Sequence, residues 1–318
     1  MQLAATTIAI VGSGYMGGGI AQVLTRAGAR CVLIDTDAAR AESGHARVIA
    51  ETADHVARGY LTAEQGSSVA ANLSWSGSLA EGVVGADIVF EVVFEELSVK
   101  HEVLRAIEAV IGDDVVIATN TSAIPIGDLA EALERPERFL GVHFFNPATL
   151  LPGVEIIPHA STDASLPPLI AGLLTEAGKE PAIVKDTPGF VCNRLQFALF
   201  KEAARMVEDG HADAEQIDTI VRASFGFRLA LYGPFAVADM AGLDIYANSY
   251  VSLERAFGDR FAVPPSLKAR VEAGDLGIKT GGGYLGLDAE AAASMVAQRD
   301  NAYSELSRLR RELAEDAA

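Results

Sequence analysis

Ile8-Ala9-Ile10-Val11-Gly12-Ser13-Gly14-Tyr15-Met16-Gly17-Gly18-Gly19-Ile20 is the stretch from which the rest of the chain can be read. Its first four residues form an apolar run suited to a buried strand, which breaks into glycines and then into a helical pattern. Gly12 permits a tight turn out of the strand, Gly14 lets backbone approach a pyrophosphate that a Cβ would block, and Gly17 lets the next helix pack closely on the strand. Phosphates would rest on that helix's N-terminus, where unpaired N–H groups and the helix dipole hold an anion without a basic side chain. The helix closes at Gly28, and Cys31-Val32-Leu33-Ile34 forms a second buried strand. Asp35 stands at its tip, where a carboxylate can hold ribose hydroxyls. Asp35 would repel a 2′-phosphate and no Arg directly follows it, so the expected cofactor is NAD rather than NADP.

Composition bounds what surrounds this turn. A chain of 318 residues is comfortable for two domains. A net charge of −18 argues against a phosphate backbone as partner, and nucleic acid is not expected. The two cysteines, Cys31 in a predicted strand and Cys192 in a predicted helix, indicate no disulfide framework and fit a reducing compartment. The chain enters its first strand within a few residues, with no basic region and cleavage site, and no apolar run approaches membrane-spanning length. A soluble, cytoplasmic protein with no membrane partner is expected.

After Asp35, residues 37–58 carry charges with interleaved Ala, Val and Ile at helical spacing, and Leu61-Thr62-Ala63-Glu64 reads as the capped start of another helix. The basic residues of this excursion, Arg40, His45, Arg47 and Arg58, alternate with Glu42, Glu51 and Asp54. A mixed solvated face is favoured over a clamp for an anionic ligand. Residues 86–93 form a third apolar strand, and residues 115–119, 139–142 and 154–157 form others. Strands alternating with helices imply a Rossmann-type α/β fold, a doubly wound mostly parallel sheet. Residues 162–178 fit a helix, 181–184 a short edge strand, and Asp186-Thr187-Pro188-Gly189 a junction. Helical segments near 190–208, 214–224, 234–256, 265–273 and 288–314 make the C-terminal domain all-α. The expected domains are 1–186, binding NAD, and 187–318, helical.

In such sheets ligands bind beyond the carboxyl ends of the strands, which selects Asn120-Thr121-Ser122 and His143-Phe144-Phe145-Asn146-Pro147. Of six histidines, His143 alone sits at a strand's carboxyl end within a polar cluster. Glu155, in the adjoining strand, can return beside it and bind one ring nitrogen, fixing the tautomer while the other nitrogen faces substrate. A hydroxyl losing hydride to NAD must also lose its proton, and a His–Glu pair suits that task. Ser122 and Asn193 are candidate donors to the oxygen on which charge develops, the second from the other domain. No Cys–His zinc spacing and no nucleophile elbow is present, which disfavours metal hydrolysis and acyl-enzyme chemistry.

Gly-Ser-Gly-Tyr-Met-Gly at 12–17, Asn-Thr-Ser at 120–122, His-Phe-Phe-Asn-Pro at 143–147, Val-Glu-Ile-Ile at 154–157, Asp-Thr-Pro-Gly-Phe-Val-Cys-Asn-Arg at 186–194 and Gly-Ile-Lys-Thr-Gly-Gly-Gly-Tyr at 277–284 together resemble the L-3-hydroxyacyl-CoA dehydrogenase family. The resemblance covers nearly the whole chain. It implies that His143 is the base, Glu155 its partner, and that Ser122 and Asn193 contact the substrate's reacting end. It further implies that Tyr15 and Met16 within the turn, Asn146 near the nicotinamide, and Asp35, Glu95 and Lys100 are cofactor-side residues. Lys279 matches a Lys that reaches the cofactor from a C-terminal loop, and the family forms homodimers largely through the helical domain.

The departures concern the substrate. In the acyl-CoA enzymes the helical excursion is rich in Lys, and here it has none. Leu151-Pro152-Gly153-Val154-Glu155 and Asn193-Arg194-Leu195-Gln196-Phe197-Ala198 are more similar to relatives acting on small free hydroxy acids, such as L-gulonate 3-dehydrogenase and carnitine dehydrogenase. The stretch from Gly233 to Tyr246 also resembles the pyridine-carboxylate dehydrogenase of vitamin B6 breakdown. The expected reaction is hydride transfer between NAD and the 3-hydroxyl carbon of a 3-hydroxyacyl-CoA. The alternative is the same chemistry on a small hydroxy acid or alcohol without CoA.

Overall fold

A computed structural model describes residues 2–315. The chain divides into two compact units, Met1–Phe200 and Lys201–Ala318. The first carries β1 (Thr7–Val11), α1 (Tyr15–Arg26), β2 (Arg30–Ile34), α2 (Ala38–Ala57), α3 (Ala63–Asn72), β3 (Leu73–Ser76), α4 (Leu79–Gly82) and β4 (Ile88–Glu91). It continues with α5 (Leu97–Glu108), β5 (Val116–Thr119), α6 (Ile126–Ala130), β6 (Phe139–Phe144), β7 (Gly153–Ile157), α7 (Leu166–Glu176) and β8 (Glu180–Ile183). Helix α8 (Cys192–Glu208) begins in this unit and ends in the next.

The strands form one eight-stranded sheet in the order β3-β2-β1-β4-β5-β6-β7-β8. All neighbours are parallel except β6 and β7, which are antiparallel. Every residue of β4, β5 and β6 is buried, as strands covered on both faces require. Alternation along β1 shows the two layers. Ile8 and Ile10 join the apolar layer containing Ile20 and Leu24 of α1 and Leu173 of α7, whereas Ala9 and Val11 join the layer containing Leu104 of α5 and Leu129 of α6. The order in which strands are added reverses at β1, first outward to β2 and β3 and then the other way from β4 on, so a crevice opens beyond the ends of the parallel strands β1 and β4.

Two sequence expectations are corrected. The apolar strand within 86–93 is the fourth, not the third, because Leu73-Ser74-Trp75-Ser76 also forms a strand. It pairs with β2 at the sheet's edge with Ser74 and Trp75 exposed, so it lacks the hydrophobic run that marks a buried strand. The helix expected over 234–256 is two helices, α11 (Pro234–Ala241) and α12 (Leu243–Phe257), after α9 (Ala214–Ala223) and α10 (Phe225–Leu229). Gly242 breaks it with φ +106°, a conformation that L side chains rarely adopt.

The second unit is completed by α13 (Pro265–Glu272) and α14 (Ala289–Glu315). Its core gathers Ala238, Leu243 and Leu267 with Tyr246, Tyr250 and Tyr284. The buried Asp239 carboxylate accepts from Tyr284 N at 3.0 Å and Leu285 N at 2.9 Å. A Cβ at Gly283 would overlap that carboxylate, which accounts for glycine at this point of the 277–284 motif. Among the described residues no helix is long and apolar enough to cross a membrane.

Candidate active site

The glycine turn is built as its residue types demand. Gly12 has φ +111°, and a Cβ there would overlap the Val92 carbonyl; a Cβ at Gly17 would overlap the Gly12 carbonyl oxygen. At Gly14 a Cβ would meet nothing within 4 Å, and Gly14 lines a cavity of about 1050 Å³. The backbone N–H groups of Gly14, Tyr15 and Met16 have no partner among the described residues, as the first turn of a helix leaves them. Asp35 beyond β2 accepts from Ser13 N at 3.0 Å and Ser13 Oγ at 2.6 Å on one oxygen, and from Thr36 N at 2.8 Å on the other. Burial alone would raise this carboxyl, but the Ser13 and Thr36 donors outweigh it and hold it below its ordinary value, so it is an anion ready to accept. Arg40 of α2 lines the same cavity and lies 3.5 Å from Asp37.

A buried ionic cluster supports the ends of β4 and β5. Lys100, only 1% exposed, donates to Glu91 Oε1 at 2.8 Å, and Thr119 Oγ1 donates to the other Glu91 oxygen at 2.6 Å. Lys100 also lies 3.5 Å from Glu95 Oε2. Glu95 Oε1 accepts from Thr121 Oγ1 at 2.6 Å, Ser122 N at 2.8 Å and Ala123 N at 3.0 Å. Burial pushes the Glu95 carboxyl up, but these donors and the Lys100 charge bring it below its usual range. Glu95 thus holds the turn that carries Ser122. Lys100, expected on the cofactor side, does not line the cavity: Glu91, which the sequence did not single out, draws its ammonium beneath the loop.

His143 and Glu155 face each other directly in the antiparallel register of β6 and β7, which puts their side chains on one face of the sheet. His143 Nδ1 and Glu155 Oε2 are 2.9 Å apart. The imidazole is flanked by Phe145 and Phe190, with ring centroids at 4.8 and 5.8 Å, and it lines the cavity; its Nε2 has no protein partner among the described residues. Glu155 Oε1 accepts from Val191 N and Cys192 N, each at 2.9 Å, where α8 begins. Gly189 with φ +75° and Phe190 with φ +47° turn the chain so that these N–H groups meet the carboxylate. Burial would raise Glu155, but the His143 hydrogen bond and the Cys192 and Val191 N–H groups hold it low. Burial and the Glu155 charge push the Cys192 thiol up, so it borders the cavity as a neutral group.

Gly12, Gly14, Tyr15, Met16, Asp35, Glu95, Ser122, His143, Asn146 and Asn193 all line this one cavity. Gly17 lies beneath the turn and Glu155 behind His143. Asn193 sits at the start of α8 in the sheet-bearing unit and donates to Ser122 O at 2.8 Å, leaving its second amide hydrogen free. The Ser122 hydroxyl is 3.3 Å from Glu95 Oε1. Lys279 belongs to the helical unit, where it pairs with Asp244 at 2.9 Å. Sequence reading missed Gln196, one turn beyond Asn193 on the same face of α8; the i, i+3 spacing carried that signal. It favoured a mixed solvated face over an anion clamp for Arg40, His45, Arg47 and Arg58. Arg47 instead donates to Ser13 O and Gly14 O at 2.7 and 2.9 Å, and Arg58 pairs with Asp54 at 2.8 Å.

The open space at Gly14, the three unpaired N–H groups and the anionic Asp35 fit a dinucleotide's pyrophosphate and ribose. Comparison with known proteins agrees. Residues 7–187 match the model of the 3-hydroxyacyl-CoA dehydrogenase NAD binding domain, and residues 189–286 that of the 3-hydroxyacyl-CoA dehydrogenase C-terminal domain. The 5-formyl-3-hydroxy-2-methylpyridine 4-carboxylate 5-dehydrogenase of Mesorhizobium japonicum is 36% identical, over 92% of this chain and 94% of its own. A probable 3-hydroxybutyryl-CoA dehydrogenase of Bacillus subtilis is 33% identical, over 87% and 96%. The crystal structure of a 3-hydroxyacyl-CoA dehydrogenase of Archaeoglobus fulgidus superposes with a TM-score of 0.80 at 31% identity, over 97% of this chain and 99% of that one.

Proposed function

This chain belongs to the 3-hydroxyacyl-CoA dehydrogenase family and is an NAD-dependent oxidoreductase, and from that premise we propose that it oxidises the 3-hydroxyl of a 3-hydroxyacyl-CoA, or runs the reverse reduction, with His143 as the base. The observation that carries this reading is the His143–Glu155 pair, its free Nε2 on the cavity that the glycine turn also lines. NAD, when bound, supplies the acceptor for the hydride leaving the hydroxyl-bearing carbon. His143 Nε2 takes the hydroxyl proton, and Glu155, accepting from Nδ1–H, stabilises the imidazolium that results. In the reverse direction the imidazolium returns that proton to the forming hydroxyl. The free amide hydrogen of Asn193 supports the oxygen on which charge develops. Gly12, Gly14, Tyr15, Met16, Asp35 and Asn146, which line that cavity, serve the cofactor, and Lys100 and Glu95 support the loop beside it. Exposed apolar residues of the helical unit, among them Ile220, Phe225, Phe235, Ile245 and Val251, support a homodimer.

One observation favours a second reading, the same chemistry on a compact hydroxy acid or alcohol. Of the basic residues weighed for an anion clamp, Arg40, Arg47 and Arg58 are engaged by Asp37, the turn carbonyls and Asp54. The relative from M. japonicum is named for a pyridine carboxylate. NADH formation with 3-hydroxybutyryl-CoA, free 3-hydroxybutyrate and a hydroxymethyl pyridine carboxylate separates the readings. A specificity constant for the thioester far above the others is expected. Similar constants for thioester and free acid would remove CoA as the recognised handle.

A further inference from the structure

Helix α2 is packed against the glycine turn through Gly44, Arg47 and Val48, which share one helical face by their i, i+3, i+4 spacing. A Cβ at Gly44 would come within 2.6 Å of Ser13 Oγ. One at Gly18 would lie 2.8 Å from Val48 Cγ2 and 3.0 Å from Arg47 Nη2. The two glycines therefore make room for the helix and its guanidinium. Arg47 Nη2 donates to Ser13 O at 2.7 Å and to Gly14 O at 2.9 Å. Gly14 O also receives Gly18 N, whereas Ser13 O has no other partner among the described residues. The carbonyl and N–H of a trans peptide point in opposite directions. Holding the Ser13 and Gly14 carbonyls therefore fixes the directions of Gly14 N–H and Tyr15 N–H, two of the unpaired donors, on residues that line the cavity.

We propose that Arg47 is a positioning residue of the dinucleotide site. Its guanidinium orients the turn's N–H groups toward the pyrophosphate and places a positive charge behind the anion in a chain whose net charge is −18. Arg47 touches neither cofactor nor substrate, and the role is independent of what the hydroxyl substrate is.

Calorimetric titration of NAD into the substrate-free protein tests this. Arg47→Met keeps the apolar stem and loses the donors, and should weaken NAD binding roughly tenfold or more. Arg47→Lys, which keeps the charge on a side chain one atom shorter and without the rigid planar fork, should fall between. Glu51→Gln removes the carboxylate 3.5 Å from Nη1 and leaves the carbonyl bonds, and should bind NAD within about twofold of the unmodified protein. In steady state the Met variant should show a raised KM for NAD, with kcat at saturating NAD and KM for the hydroxyl substrate within about twofold. NAD affinity within about twofold of the unmodified protein, in a Met variant that melts cooperatively, would overturn the proposal. A rise in substrate KM alone would also overturn it, returning Arg47 to a substrate clamp. If the Met variant does not fold, unchanged NAD affinity in Arg47→Gln, which lacks the charge and the reach to the two carbonyls, has the same force.

Discussion

Glu155→Gln separates two duties that one carboxylate performs. Oε2 meets His143 Nδ1, and Oε1 takes Val191 N and Cys192 N, all at 2.9 Å. A glutamine of the same shape has one oxygen to accept and one NH2 that only donates. With its oxygen toward Val191 and Cys192, the NH2 donates to Nδ1, so Nε2 carries the proton and cannot take another. With its oxygen toward His143, the NH2 confronts two N–H groups and the start of α8 loses its anion. The first orientation keeps all three bonds, the one to His143 reversed in direction, and the second loses two, so the first should prevail and the base is lost in the wrong tautomer. We expect kcat to fall roughly 10²- to 10³-fold, with NAD affinity unchanged. Replacing the charged acceptor of these bonds by a neutral one costs about 2 kcal/mol, roughly 4–8 °C in melting temperature for a unit of this size. NADH absorbance at saturating NAD across pH, with calorimetric melting, makes the measurement. A kcat within about threefold of the unmodified enzyme and the same pH profile, beside a lowered melting temperature, would refute the reasoning and leave Glu155 as a cap for α8 alone.

Three further outcomes are expected. His143→Gln should lose roughly 10³-fold in turnover while calorimetry still detects NAD. A pH profile of the oxidation rate in the variant identical to that of the unmodified enzyme would assign the base elsewhere. Asp35→Ala should narrow the preference for NAD over NADP, read as the ratio of specificity constants; equal turnover of the two cofactors by the unmodified enzyme would contradict the role given to that carboxylate. Asp35, Glu95 and Glu155 are each held below ordinary values of 3.8, 4.5 and 4.5. A carboxyl with a depressed folded pKa contributes stability that is complete above its unfolded value and is lost as pH falls through the folded one. Melting temperature should therefore decline as pH drops below 4.5, less steeply in Glu155→Gln. A flat melting temperature across that window would count against these pairings.

Local rules carried much of this protein into view from its sequence. Val11 running into Gly12, Gly14 and Gly17 marks strand, turn and helix because a tight turn and a close helix approach exclude a Cβ. The pairing of His143 with Glu155 was legible because two neighbouring apolar strands joined by a short loop return the second residue beside the first. Leu73–Ser76 was not legible, since an edge strand is formed by backbone pairing with β2 and needs no apolar run. The break at Gly242 was hidden because glycine within a helical pattern is compatible with continuing or ending it.

Sequence alone determined the dinucleotide turn, the strand ends that carry the polar residues, and the expectation of hydride chemistry on NAD. Only the tertiary structure decided where the charged side chains go. Arg47 looked like one of several solvated cations on a mixed helix face, yet it ends on the Ser13 and Gly14 carbonyls. Lys100 looked like a cofactor contact and is drawn under the loop by Glu91. Glu155 reaches not only His143 but the first N–H groups of α8, a segment far along the chain. The physical reason is that hydrophobic periodicity and turn chemistry are short-ranged and leave their mark in neighbouring residues. A long charged side chain takes its partner from whatever polar group the packed fold brings within about 3 Å, and that is settled between segments distant in sequence.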